Sequence, residues 1–390
     1  MASEALAVVN RNKALDRLVK DVCNKQVVLL GEDVNHGGGK TLEVKIDLVE
    51  RLVDECGFSA VFFESQSYDF LDIEHAFAAR TATPEQVADA IGGLWSVTRE
   101  SDRLAAFLFQ AASSGRVRLQ GLDPQIGGAT QLYSQRDMPA RITAFLDPVR
   151  RAACTAEIHR YANWEYDDQT PFDDAVRSRL RTCASEIQTS IGHQPSSDAM
   201  TVTAFMAGNF SSFVQMIAHD DSFNIRDQAM YDNFVWHRNR LPKGAKVIVW
   251  SATIHASKDG GALRPGYVSM GSRIHRLLGS QTAAIGFSAL SGSYGRRTKP
   301  PVALADMPAN SLEPQAFAES KDDMRYFDGR QLAAFGKITA RAIDYGEPES
   351  LAWASELDGL VVLRRERPPI YARGIEPQQA IQVTHASPGQ

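Results

Sequence analysis

The amino-acid sequence predicts an α/β fold, a mostly parallel central sheet flanked by helices, with a helical insertion covering the C-terminal edge of the strands. Three observations carry that prediction. Short apolar runs recur along the chain and read continuously rather than alternately, as strands covered on both faces do. Amphipathic segments of helical period separate them, so strands and helices alternate. A helix-rich, polar block from about 138 to 240 then interrupts the alternation.

In order, the strand candidates are "VVLLGE" (27–32), "AVFFES" (60–65), "VRLQGLD" (117–123), "KVIVWSA" (246–252), "TAAIGFSA" (282–289) and "LDGLVVL" (357–363). Between the first two, Leu42, Ile46, Val49, Val53 and Cys56 recur at helical spacing, and Gly57 stands where a helix should stop. The result is a strand–helix–strand unit, which within one sheet is right-handed. "DRLAAFLFQAASSG" leads in the same way into the strand at 117. The block 138–240 is expected to be a helical insertion within a single domain spanning 1–390. Its Tyr161, Trp164 and Tyr166 either line a substrate cleft or pack the helices together. The tail 365–390 has adjacent prolines and little apolar periodicity, so it is expected to be loosely held.

Composition excludes several classes of partner. A net charge of −5 with scattered Lys and Arg gives no footprint for nucleic acid. No apolar run approaches the ~20 residues that span a bilayer, and the N-terminus lacks a signal-peptide core. The four cysteines, Cys23, Cys56, Cys154 and Cys183, show no metal-type or redox spacing. Cys56 falls on an apolar helix face and reads as a buried free thiol, a usage that fits a reducing compartment and a cytoplasmic location. Oligomeric state leaves no mark in the sequence.

"VVLLGEDVNHGGGKT", Val27 to Thr41, offers three chemistries. A phosphate-binding loop needs a glycine where Val34 stands, and Glu32 and Asp33 at its mouth would repel phosphate. The "HGGG" oxyanion loop needs a G-x-S-x-G nucleophile elbow, which the chain lacks. An acid/base site at a strand's end remains. Glu32, Glu64 and Asp123 each end a strand, and His255 lies just past another, so one rim receives four titratable groups. Any one of them alone could be a cap or a surface partner; the coincidence reads as a site. Lys45 falls in the apolar stripe of the first helix, where it either snorkels to water or reaches into that site to hold Glu64 or Glu32 ionised.

With those residues in place, the chain resembles the erythromycin esterase-like superfamily over most of its length. The resemblance rests on Gly31-Glu32, His36-Gly37 and Lys45, then on "GFSAVFFES" ending near Glu64. Trp95, Thr98 and Glu100 of a W-x-x-T-x-E element follow, then "GLDPQ" with Asp123 and "NIRDQAMYDNFVW" with Arg226, Asp227, Met230 and Asn233. "KVIVWSATIHA" and "MGSRI" close the series. Two departures stand out. Three residues rather than two separate Glu32 from His36, and Ala252 and Thr253 occupy positions where the family shows histidine and asparagine, leaving His255.

The resemblance implies ester hydrolysis by base activation of water, without a serine nucleophile and without a metal. The expected catalytic set is His36 as general base, oriented by Glu64 or Glu32, with His255. Lys45, Arg226, Asp123, Asp33, Met230 and His237 are the expected substrate contacts, the last two sharing a helical face with Arg226. The Gly37–Gly39 run would let backbone approach a ligand. No cofactor is expected. As an alternative, Glu32, His36, Glu64 and His255 could ligate one zinc- or manganese-like ion, though no tight ligand spacing supports it. The substrate is expected to be a small molecule carrying an ester, lactone or related acyl bond. Competing readings are a biosynthetic cyclase or acyl-rearranging enzyme on the same scaffold, and a non-catalytic binding or toxin-like member with a decayed site.

Overall fold

The computed structural model describes residues 12–127, 132–296 and 299–372. Its strands are β1 (Val27–Leu30), β2 (Phe58–Gln66), β3 (Arg118–Asp123), β4 (Lys246–Trp250), β5 (Thr282–Tyr294), β6 (Val302–Ala303), β7 (Met324–Asp328), β8 (Lys337–Ala340), β9 (Glu349–Ala352) and β10 (Gly359–Glu366). The main sheet runs β3-β2-β4-β1-β5-β10-β7, with β6 paired to the end of β5 and β8-β9 a separate hairpin. Every pair from β3 to β10 is parallel, and β7 closes the sheet antiparallel to β10. The mixed α/β class with a mostly parallel sheet is therefore as expected. The six apolar runs supply its six parallel strands, whereas β6, β8 and β9 are short and partly exposed and β7 is a five-residue edge strand interrupted by Arg325, so they leave little apolar signal.

The early helices are α1 (Lys13–Val22), α2 (Gly39–Cys56), α3 (Ser67–Ala79), α4 (Pro84–Ile91) and α5 (Arg99–Ser113). Helix α2 ends at Gly57, whose φ of 70° is the left-handed conformation that only glycine adopts without cost. Its stripe of Leu42, Ile46, Val49, Leu52 and Val53 packs with Val28, Leu30, Ile248 and Trp250 on one face of the sheet. Each such side chain contributes about 1.5–3 kcal/mol of burial.

Between β3 and β4 come α6 (Tyr133–Arg136), α7 (Met138–Thr143), α8 (Pro148–Ala162), α9 (Asp174–Gly192), α10 (Asp198–Met216) and α11 (Ser222–Asn239). Asp147, Asp173 and Ser197 cap α8, α9 and α10 with their side chains. These helices share an apolar cluster with Tyr68 and Leu71 of α3, at the end of β2. Tyr161 meets Trp164 and Phe172 edge-on at 5.6 and 5.3 Å, so these rings pack on one another. Helix α11 covers the opposite sheet face, where Met230 and Phe234 contact the cluster of Val27, Leu29 and Phe62. From β4 to β5 the chain passes through α12 (Thr253–Ala256), α13 (Gly260–Leu263) and α14 (Met270–Leu278).

The cysteine reading is corrected. Cys23 pairs with Cys56 and Cys154 with Cys183, at Cα separations of 5.1 and 5.6 Å, and no cysteine is free. Partners 33 and 29 residues apart in sequence carry no spacing signature; tertiary packing brings them together. The cysteines thus no longer argue for a reducing compartment. Among the described residues no helix is long and apolar enough to cross a membrane. Of the tail, residues 365–372 are bound to the body of the molecule, Tyr371 bridging to Thr98, and 373–390 lie outside the described residues.

Candidate functional site

β1, β2 and β4 lie side by side, and their C-terminal ends deliver Glu32, Glu64 and the 251–255 segment to one rim. Two buried networks form there. In the first, Glu32 accepts at Oε1 from Trp95 Nε1 (2.5 Å) and faces His36 Nδ1 (2.8 Å), and at Oε2 from Lys45 Nζ (3.0 Å). Lys45 is 0% exposed; its other contacts are the Ser251 carbonyl at 3.3 Å and the Trp250 ring, 4.1 Å from the centroid. Burial raises the Glu32 pKa, but Lys45 and His36 outweigh it and the net shift is downward. An ionised Glu32 makes Nδ1 the protonated nitrogen of a neutral His36, leaving the Nε2 lone pair unengaged among the described residues. His36 itself has a φ of 53°, a left-handed backbone that costs a non-glycine residue about 1–3 kcal/mol and is retained where structure over-determines it.

The second network centres on Arg226, at the start of α11. Its guanidinium donates to Asp123 from Nε (3.1 Å) and Nη2 (2.5 Å), to Glu64 from Nη2 (2.8 Å) and to His255 Nε2 from Nη1 (2.9 Å). In the neutral ring, because a guanidinium only donates, His255 Nε2 accepts and the proton sits on Nδ1, facing Asp227 Oδ2 at 2.8 Å. Burial opposes charge on His255, while Asp227 and Glu64 favour it, and the net direction is upward. Burial likewise opposes charge on Glu64, yet His255, Arg226 and His36 hold its carboxyl at about 2. Tyr267 Oη and the Met270 N–H at the start of α14 fix Asp227 from behind, at 2.9 and 2.7 Å.

The 251–253 segment ties the networks together: the Ala252 N–H donates to Glu64 Oε2 (2.7 Å) and the Thr253 N–H to the Glu32 carbonyl (2.8 Å). That approach explains Gly31, since a Cβ there would stand 2.5 Å from Thr253 Oγ1. Thus Glu32, His36, Lys45, Glu64, Asp123, Arg226 and His255 come together, and Glu32 rather than Glu64 holds the His36 ring. Asp33 turns away, accepting from the N–H groups of Tyr345 (2.8 Å) and Asn35 (3.0 Å), with burial raising its pKa to about 6. Met230 lies in the apolar cluster between α11 and the sheet. His237 shares the face of Arg226 but sits three turns along, about 16 Å away at the helical rise. It packs against Phe62, Phe205 and Trp236, and its ring nears the Gly121 backbone without reaching hydrogen-bonding geometry. Trp95, Asp227 and Tyr267 join the site without having been singled out for it; Trp95 and Asp227 stand in recognised motifs, but their partners are remote in sequence.

The glycine run has a different use from ligand approach. Cβ atoms on Gly37, Gly38 and Gly39 would meet the Gly295 backbone, the Glu366 carboxylate and the Pro368 carbonyl, each within 2.8 Å. Glu366, from the end of β10, accepts from the N–H groups of Lys40 (2.7 Å) and Thr41 (3.2 Å) and from Thr41 Oγ1 (2.6 Å). The helix N-terminus that resembles a phosphate cradle is therefore filled by the protein's own carboxylate. As to metals, no group of three or more His, Cys, Asp or Glu side chains among the described residues is arranged to hold an ion.

The erythromycin esterase family model matches residues 53–364. The chain belongs to the erythromycin esterase family. YbfO of Bacillus subtilis (strain 168), a protein whose name proposes a hydrolase, is 23% identical over 346 residues, covering 77% of this chain and 74% of YbfO. Among solved structures, a Bacillus cereus protein superposes with a TM-score of 0.73 at 19% identity, covering 92% of this chain and 93% of its own. A histidine-to-asparagine variant of the erythromycin esterase EreC, in its open conformation, gives 0.66 at 12% identity, covering 90% and 93%. At such identities the structures show a shared fold. Membership of the erythromycin esterase family supports a hydrolase-like function in the broad sense.

Proposed function

We propose that this chain hydrolyses an ester or lactone bond of a small molecule, with His36 as the general base. One observation carries the reading: in a cluster where the other imidazole and the carboxylates are committed, His36 Nε2 is, among the described residues, an unengaged proton acceptor whose opposite nitrogen is fixed by an ionised carboxylate. Water gives a proton to Nε2 as its oxygen bonds to the substrate carbonyl carbon. The imidazolium so formed is stabilised by Glu32 and returns the proton to the leaving alcohol oxygen as the acyl C–O bond breaks. A lactone yields one hydroxy acid; an ester yields a carboxylic acid and an alcohol.

Charge on the carbonyl oxygen needs a donor. Lys45 is wholly buried and committed to Glu32, so its role in this reading is to keep Glu32 ionised. Arg226 uses four of its five N–H bonds within the network; the fifth, on Nη1, is the donor available to the substrate. Asp123, Glu64, Asp227 and His255 position that guanidinium. No cofactor or metal enters the scheme.

The test is a panel of esters and lactones turned over by wild type and His36→Ala. Loss of the base should cost about 10²–10⁴-fold in kcat. A variant with near-normal turnover removes His36 from the mechanism. Product mass separates hydrolysis, which adds one water, from cyclisation or acyl rearrangement, which does not.

A further inference from the structure

The strongest unused feature lies beyond the sheet. From Glu366, the last residue of β10, the chain continues as a strap, 366–372. Glu366 caps α2, and the Gly39 N–H donates to the Arg367 carbonyl at 2.7 Å. The Arg367 guanidinium bridges Glu43 of α2 and Glu100 of α5, whose side chain is 3% exposed. The Ile370 N–H also reaches the Glu100 carboxylate (3.1 Å), and the Arg99 N–H donates to the Ile370 carbonyl (2.8 Å). Tyr371 bridges to Thr98, and the Ala372 N–H donates to the Val97 carbonyl at 3.0 Å. Finally, Tyr371 Oη donates to the Gly295 carbonyl (3.0 Å), while the Gly295 N–H donates to the Gly37 carbonyl (3.0 Å).

These contacts converge on two short segments. One is Gly37–Glu43, beginning immediately after His36; the other is Val97–Glu100, just after Trp95. His36 and Trp95 are the two groups that share Glu32 Oε1, and their rings meet edge-on at 5.1 Å. We propose that the strap 366–372 positions the His36–Glu32–Trp95 constellation, with Arg367 as the positioning residue that locks the two segments in register. The proposal rests on the reading above for what that register serves, but not for the contacts themselves. The strap adds little to the core: among 367–372 only Pro369 is buried, and Ile370 is half-exposed. Its bonds are polar and aimed at the site's two flanking loops, which is the pattern of a brace rather than of a packing element.

Five tryptophans are present, so the Trp95 indole N–H signal in a ¹H–¹⁵N spectrum can be assigned by its loss in Trp95→Phe. In Arg367→Ala that signal should shift and exchange at least about tenfold faster as the loop opens locally. On an ester substrate kcat should fall by as much as about 10²-fold, the scale of a 1 Å misplacement, with KM little changed. Arg367→Lys should restore part of both. An unchanged Trp95 signal in Arg367→Ala, while the strap's own amides lose protection, overturns the proposal. If Arg367→Ala does not fold, Tyr371→Phe, which deletes one hydroxyl, is read by the same criteria. Should no ester be turned over at all, the hydrolase reading fails and the indole signal still decides the strap.

Discussion

Lys45→Met probes the buried pair that holds the site's carboxylate. Nζ lies 3.0 Å from Glu32 Oε2, with side-chain exposures of 0% and 5%. At an effective dielectric of 20 the attraction is about 5–6 kcal/mol, comparable to the several kcal/mol lost in desolvating each ion. The intact pair is therefore near balance, but removing one member leaves the other buried and uncompensated, at a cost of about 3–5 kcal/mol. Methionine keeps the apolar stem and discards the charge. An unfolding entropy of about 2.1 cal/mol/K per residue over 390 residues gives about 0.8 kcal/mol/K, hence a drop in Tm of about 4–6 °C. Glu32→Gln should be costly for the mirror-image reason, stranding Lys45. The double variant has no stranded charge and should melt within about 2 °C of wild type, a coupling that only contacting residues show. Calorimetry at pH 7 on the four proteins checks this. A Lys45→Met protein within about 1 °C of wild type, or single losses that simply add, would refute the reasoning.

Two further outcomes are expected. Burial, reinforced by Arg240, lowers the His237 pKa from 6.5 to about 3, so the unfolded chain takes up the proton first as pH falls. The stability this group confers is thus complete above about pH 6.5 and drains as pH drops toward 3, by about 2 kcal/mol at pH 5. His237→Phe should flatten denaturant-derived stability between pH 7.5 and 5 by that amount; parallel curves for the two proteins would contradict it. For the cysteines, peptide mapping of protein folded in air without reductant should recover Cys23–Cys56 and Cys154–Cys183. Loops of this length are each worth about 3–4 kcal/mol, so reductant should lower Tm, and four titratable thiols in the denatured, unreduced protein would refute the pairing.

How much of this was legible in the sequence depends on the range of each interaction. The six parallel strands and α2 were legible because continuous apolarity and a 3.6-residue period are local properties. Glu32, Glu64, Asp123 and His255 were legible as a rim because strand ends in a parallel sheet share an edge. What governs them was not. Whether Glu32 or Glu64 holds His36 depends on side-chain reach across β1 and β2, and the Trp95–Glu32 bond spans 63 positions. His237 and Met230 show the limit of helical-face reasoning: a shared face says nothing of distance along the axis. The disulfides and the strap depend on tertiary neighbours alone, and a proline-rich tail reads as loose until its polar partners are known.

The Glu366 cap has a consequence for what the glycine-lysine-threonine turn can accept. A free phosphate entering there must compete with a carboxylate delivered by the same polypeptide, whose effective concentration is fixed by the strand carrying it and is not diluted by solvent. Nucleotide would have to exceed that effective concentration before it displaced the carboxylate. The turn is a helix start whose donors are engaged from within by the chain's own carboxylate.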